Sequence, residues 1–157
     1  MTVMVTWKQF SEEVPALAVA VQARFKAHKH HVLATLRKDG SPRVSGTEVE
    51  ILDGRLVLGS MFGALKAKDL IRDGRYALHS NPGEHTMEGG DAKIAGIARE
   101  VTGDEFEGVL ASYTYEVPKP LHLFVLDIDE VVHTTVDDEH MYVDLWKPGK
   151  EITRFTK

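Results

Sequence analysis

The chain has 157 residues, 43% of them hydrophobic and 27% charged, with 19 basic side chains against 24 acidic ones and a formal net charge of −5. That length supports one domain with a real core and excludes two of ordinary size, and the acidic balance argues against a general nucleic-acid surface. There is no cysteine, so disulfide frameworks and thiol chemistry are excluded, and a reducing cytoplasm is the expected compartment.

In chain order, the start MTVMVTWKQF has no basic segment leading into an apolar one, and no later apolar run is long enough to span a bilayer. Residues of about 6–28 read as helical. Thr6 or Ser11 can cap, and Pro15 belongs in a first turn, so two short pieces are expected. Val14, Leu17, Val21 and Phe25 recur at three- and four-residue spacing and form one apolar stripe for packing. His28, His30 and His31 follow, but their spacing does not put two ligands on one helix face and no cysteine or carboxylate cluster accompanies them. No metal site is expected.

The region of about 31–146 reads as mainly β. Val32–Leu36 is apolar and rich in β-formers, and Lys38-Asp39-Gly40-Ser41 has hairpin-turn chemistry. Arg43–Ile51 reads as one extended run. Asp53-Gly54 marks a second tight turn before a strand over Arg55–Ser60, with Leu56 and Leu58 on one face. Leu65, Lys66, Asp69, Leu70 and Arg72 fit a short helix, with Gly74 placed as a glycine beyond its end. Tyr76-Ala77-Leu78 returns to strand. Asn81–Asp91 has loop composition throughout and is long enough to cover a site or reach a partner. Lys93–Val101 reads as a strand in which Gly96 marks a bend or a close approach. Asp104–Tyr115 reads as a helix ended by Pro118 and Pro120. Leu121–Ile128 is a strand, Asp129-Glu130 an interruption, Val131–Val136 its continuation, and His140–Trp146 the last strand. The expectation is about six or seven antiparallel strands forming a small β-barrel with flanking helices, in a single domain.

Arg43 and Ser45 share a strand face, Ser60 ends another strand, and Lys66 and Lys68 follow on the short helix. Two or three cations with hydroxyls over adjacent elements suit a phosphate monoester dianion, and a set of solvated surface charges would look the same. No nucleophile elbow, H-E-x-x-H or glycine-rich phosphate loop is present. Any reaction would therefore be carried by a cofactor, with the protein supplying orientation and electrostatics.

The strings LATLRKDGSPRVSGTEVEILDGRLVLGS and ALKAKDLIRDGRYALHS, with FVLDIDEVV at Phe124–Val132 and LWKPGK at Leu145–Lys150, resemble the pyridoxamine 5′-phosphate oxidase-like family of FMN-binding split barrels. The resemblance implies an FMN-dependent oxidoreductase passing a hydride between a reduced donor and a small planar substrate. It places the flavin phosphate on Arg43 and Lys66, with Ser45, Ser60 and Lys68 nearby. The ring system would lie against Val44, Ser45, Gly46 and Thr47 and against Leu58, Gly59 and Ser60, with Trp146 also among the cofactor contacts and the substrate near it. It also implies a homodimer with the cofactor at the subunit interface. Two alternatives remain from the same fold: an F420H2-dependent reductase, and a non-catalytic flavin- or haem-binding protein with one of the histidines as axial ligand. No catalytic residue is assigned, His79, His85 and Tyr113 being the nearest candidates. In the authentic oxidase the C-terminal tryptophan is followed by arginine and histidine. Here Trp146 precedes Lys147-Pro148-Gly149-Lys150, and Arg154 is the only later arginine, so a second phosphorylated ligand is not expected.

Overall fold

A computed structural model of the chain describes residues 3–157. Thr6 opens α1 (Trp7–Glu13) with a reciprocal cap. Its Oγ1 accepts from the Gln9 N–H at 3.1 Å, and Gln9 Oε1 accepts from the Thr6 N–H at 2.9 Å. Pro15 takes the first turn of α2 (Pro15–Ala27), where its missing N–H leaves nothing unpaired. Leu17, Val21 and Phe25 of α2 are buried and Val14 is half-buried, so this face closes one side of the core.

Nine strands follow: β1 (His31–Leu36), β2 (Pro42–Thr47), β3 (Val49–Leu52), β4 (Arg55–Met61), β5 (Arg75–His79), β6 (Asp91–Glu100), β7 (Leu121–Val136), β8 (Met141–Trp146) and β9 (Thr153–Thr156). Helix α3 (Leu65–Arg72) lies between β4 and β5, and α4 (Gly103–Ala111) between β6 and β7. The sheet is antiparallel, in the order β2-β1-β5-β6-β7-β4-β3, with β8 added to β7 and β9 to β8. The protein is mainly β, and the hydrogen-bonded path ends at β2 and β3 without closing on itself. The main core packs between the sheet and α1 and α2, where Phe10, Leu33, Leu58, Ile94, Phe124 and Trp146 are fully buried or nearly so. A second cluster of Val57, Val101, Val109, Leu123 and Val125 lies under α4.

Both tight turns have the predicted chemistry. Asp53 and Gly54 carry positive φ of 49° and 74°, the paired left-handed conformation that two-residue hairpins use.

In several places the structure differs from the sequence reading. The run Arg43–Ile51 is two strands separated at Glu48: β2 pairs with β1, while β3 pairs with β4. Asp129-Glu130 does not interrupt β7. Ala95 pairs with Glu130 and Gly96 with Ile128, so Asp129 is the extra residue of a β-bulge. A Cβ on Gly96 would collide with the Asp127 carbonyl oxygen, which explains the glycine opposite the bulge. Gly74 is not a left-handed helix stop. Its value lies in the close approach of the Ala98 carbonyl, which a Cβ would strike. Helix α4 ends at Ala111, leaving Tyr113 in the segment that leads to β7. The tail beyond Pro148 forms β9, which extended pairing with β8 makes regular although its side chains are exposed. No helix among the described residues is long and apolar enough to cross a membrane.

Candidate functional site

Two adjoining clefts lie where β2, β4 and the start of α3 converge. The smaller, about 450 Å³, is lined by Arg37, Arg43, Val44, Ser45, Met61, Ala64, Leu65 and Lys66. The larger, about 660 Å³, shares Met61 and Lys66 with it and continues past Gly46, Thr47, Gly59, Ser60 and Phe62 to Tyr113, Tyr115, Val117, Pro118, Pro120 and Leu121. Both volumes lie in the range of small-molecule sites.

The cationic end is built on a buried carboxylate. Asp69 of α3, its side chain only 4% exposed, accepts from Arg43 Nε at 2.7 Å, from Arg72 Nη2 at 2.9 Å and from Thr35 Oγ1 at 2.8 Å. Burial disfavours its charge, but the hydrogen bonds from Arg43, Thr35 and Arg72 outweigh that cost and hold its carboxyl below the usual carboxylate range. Among the described residues the two terminal nitrogens of Arg43 have no hydrogen-bond partner. Asp69 thus fixes the guanidinium by its Nε edge and leaves the fork open. Lys66 donates from Nζ to the Gly46 carbonyl at 2.8 Å. Burial lowers its pKa, with Glu48 only partly offsetting this. An ammonium desolvated on a carbonyl, beside a guanidinium with a free fork, is a donor set that an anion completes.

Other observations concern the planar end. Thr47 Oγ1 is buried without a partner. A Cβ on Gly46 would meet nothing within 4 Å, so the backbone there is open to close approach. A Cβ on Gly59 would lie 3.6 Å from the Tyr113 hydroxyl, so that hydroxyl stands over the β4 backbone. Burial raises the Tyr113 pKa, and its hydroxyl stays protonated as a donor. Tyr115 donates to Glu50 Oε1 at 3.1 Å, and the two tyrosine rings meet edge to face.

Arg43, Val44, Ser45, Gly46, Thr47, Gly59, Ser60 and Lys66 all line one or both clefts. Three residues expected there do not. Lys68 is exposed and lines neither cleft, because a two-residue step on a helix turns the side chain away from the face Lys66 occupies. Leu58 points into the main core with Leu56, since β4 presents Gly59 and Met61 on its other face. Trp146 is fully buried against Phe10, with ring centroids 4.9 Å apart, and offers no surface to a ligand. Of the acid–base candidates, only Tyr113 lines a cleft. His79 faces Asp91 at 3.7 Å on β5, and His85 is exposed in the 81–90 loop. His31 is buried, with Nε2 on the Phe25 carbonyl and Nδ1 accepting from the Asn81 N–H. No histidine, aspartate or glutamate cluster among the described residues could hold a metal ion. Sequence reasoning missed Asp69 as the organiser of Arg43. A carboxylate three residues after Lys66, one helical turn on, was its only signal.

An open antiparallel sheet with flanking helices and a cleft at the β2–β4–α3 junction defines the split-barrel class. Residues 17–135 match the family model described as pyridoxamine 5′-phosphate oxidase, and the chain belongs to that family. No curated protein matches the sequence significantly. Among solved structures the fold is similar to a haem-binding protein from Mycobacterium smegmatis, at 22% identity and TM-score 0.56 over 87% of this chain and 57% of that one. It is also similar to a pyridoxamine 5′-phosphate oxidase-related, FMN-binding protein from Nostoc punctiforme, at 13% identity and TM-score 0.60 over 92% of this chain and 96% of that one. A third is PhzG from Burkholderia lata in complex with tetrahydrophenazine-1-carboxylic acid, at 14% identity and TM-score 0.60 over 94% and 91%. The chain thus spans less than two thirds of the mycobacterial protein's length.

Proposed function

We propose that this chain is an FMN-dependent oxidoreductase that acts on a small planar substrate as a homodimer. The observation that carries the reading is the adjacency of the two clefts: the cationic one at Arg43, Ser45 and Lys66 shares Met61 and Lys66 with the aromatic-walled one. A phosphorylated planar cofactor has that same division of charge and shape.

In this reading Arg43 offers its free fork to the phosphate and Lys66 adds a second positive charge. The Gly46 backbone and the Thr47 hydroxyl would border the ring system, with the Tyr113 hydroxyl available as a donor over the Gly59 backbone. FMN supplies reversible hydride acceptance; the chain's own groups bind, orient and exclude water. Family membership and the similar FMN-binding protein of Nostoc support the cofactor, and the tetrahydrophenazine-1-carboxylic acid held by PhzG supports a small planar substrate. Val44, Met61, Phe62 and Leu65 are exposed around the cleft mouths, with Met61 at 82%. A contiguous apolar rim of this kind fits coverage by a second copy of the chain.

The haem-binding mycobacterial relative, and His30 on the wall of the larger cleft, favour a second reading as a haem carrier without turnover. Purified protein is to be titrated separately with FMN, F420 and haem, followed by absorbance and by quenching of flavin fluorescence. Micromolar or tighter FMN binding with a species of twice the 17.5 kDa chain mass is expected. Haem binding with a Soret band and no FMN binding would replace the flavin reading with the carrier, and selective F420 binding would make the protein a deazaflavin reductase.

A further inference from the structure

We propose that His122 is a positioning residue that clamps the turn between β4 and α3, and through that turn sets the aromatic wall and the lysine of the ligand cleft. The inference takes its ligand from the cofactor reading above but its geometry from the protein alone.

His122 is the second residue of β7, opposite Ser60 of β4. Its side chain is 14% exposed and makes three contacts at once. Nε2 accepts from the Gly63 N–H at 3.2 Å, Nδ1 lies 2.6 Å from Glu100 Oε2, and the ring stacks on Phe62 at a centroid distance of 4.8 Å and 8° between planes. Because Gly63 can only donate, Nε2 must be the bare nitrogen. The ring proton then sits on Nδ1 and points to the carboxylate. Glu100, at the end of β6, therefore fixes the tautomer that lets His122 receive the turn.

The held turn matters for the site. Met61 and Phe62 line the larger cleft, and Phe62 is 66% exposed, so the imidazole behind it is what supports that ring. Gly63, at φ +80°, reverses the chain into α3, with Ala64 N–H returning to the Met61 carbonyl at 3.1 Å. Three residues later Lys66 reaches Gly46. One side chain from β7 thus fixes both the aromatic wall and the approach of the cationic helix. Neither contact lies among the groups assigned to the cofactor itself.

The test compares the parent with His122→Phe, which keeps a stacking ring but neither hydrogen bond, His122→Gln, which can accept and donate at once, and Glu100→Ala, which removes the acceptor that fixes the tautomer. Two readouts are taken: amide exchange of the 59–66 segment in the apo protein, and the Kd for FMN. The expected result is exchange at Gly63 at least tenfold faster in His122→Phe and faster than the parent in Glu100→Ala, FMN binding weakened roughly tenfold in His122→Phe, and substantial recovery of both in His122→Gln. Unfolding midpoints of the four proteins show which are folded, and where His122→Phe collapses, Glu100→Ala decides on the same readouts. Unchanged exchange at Gly63 overturns the clamp. Faster exchange with parental FMN affinity overturns its role in the site. A parent that does not bind FMN removes the cofactor reading, and the exchange measurement then decides the clamp alone.

Discussion

Replacement of Asp69 by alanine is expected to be the most costly single change near the cleft. The carboxylate is buried and accepts three hydrogen bonds, two from guanidinium groups. Its loss leaves Thr35, only 2% exposed, with a buried hydroxyl lacking its acceptor, at about 1–3 kcal/mol. Arg43, its side chain 18% exposed, keeps a charge without its partner, and breaking a buried pair from one side costs about 3–5 kcal/mol in all. For a domain of this size each kcal/mol moves the midpoint by roughly 2–4 °C, so a fall of about 10 °C is expected. The pH dependence has a definite sign. The folded-state pKa of Asp69 is lowered, so its contribution is complete above the unfolded value near pH 4 and is lost as pH falls through the lower folded value. Urea unfolding of parent, Asp69→Ala and Asp69→Ala/Thr35→Val between pH 3 and 7 measures this. The double variant should recover about 1 kcal/mol by removing the stranded hydroxyl. An Asp69→Ala protein within about 0.5 kcal/mol of the parent at pH 7 would refute the reasoning, because surface substitutions already span that range.

Lys66→Met should raise the Kd for FMN roughly 10- to 100-fold, since one charge-assisted contact is removed, while the unfolding midpoint changes little; equal FMN titration curves would dismiss Lys66 as an anchor. Gly96→Ala should destabilise by about 1–3 kcal/mol, read from chemical denaturation, because a Cβ meets the Asp127 carbonyl across the bulge. With FMN present, incubation with pyridoxamine 5′-phosphate and oxygen should yield no pyridoxal 5′-phosphate. Beyond Trp146, Arg154 is held by Asp144 through both carboxylate oxygens at 2.8 and 2.9 Å, so the one arginine there is already engaged by a carboxylate. Turnover near 1 per second or faster would contradict that.

What could be read from the sequence was local. The Asp53-Gly54 turn, the Thr6 cap and the Leu65–Arg72 helix depend on residues within four positions of one another, and each formed where its chemistry pointed. The cationic pair Arg43 and Lys66 was legible because family patterns preserve order along the chain. What was not legible depended on partners far away. Nothing in Arg43–Ile51 tells that its two halves pair with different strands, since both halves have ordinary strand composition. The acidic dipeptide at 129–130 looked like a break, yet a bulge absorbs one of the two residues and the ladder resumes. Trp146 reads locally as a ligand platform, but Phe10, 136 positions earlier, packs on it and closes it off. The His122–Glu100–Gly63 contact joins β7, β6 and a turn, and none of the three carries a motif.

The division at Glu48 leaves a seam in the sheet. On either side of one residue the chain departs to opposite ends of the hydrogen-bonded path, β2 to one and β3 to the other, with five strands between them. The backbone ladders stop at that seam, and side chains cross it instead: Arg43 of β2 on Asp69 of α3, and Lys66 of α3 on the Gly46 carbonyl. Opening there breaks no ladder, so it is a local motion that needs far less than global unfolding. An anion gripped from both sides would hold the seam shut, and its binding energy would appear first as suppressed local opening and only then as global stability.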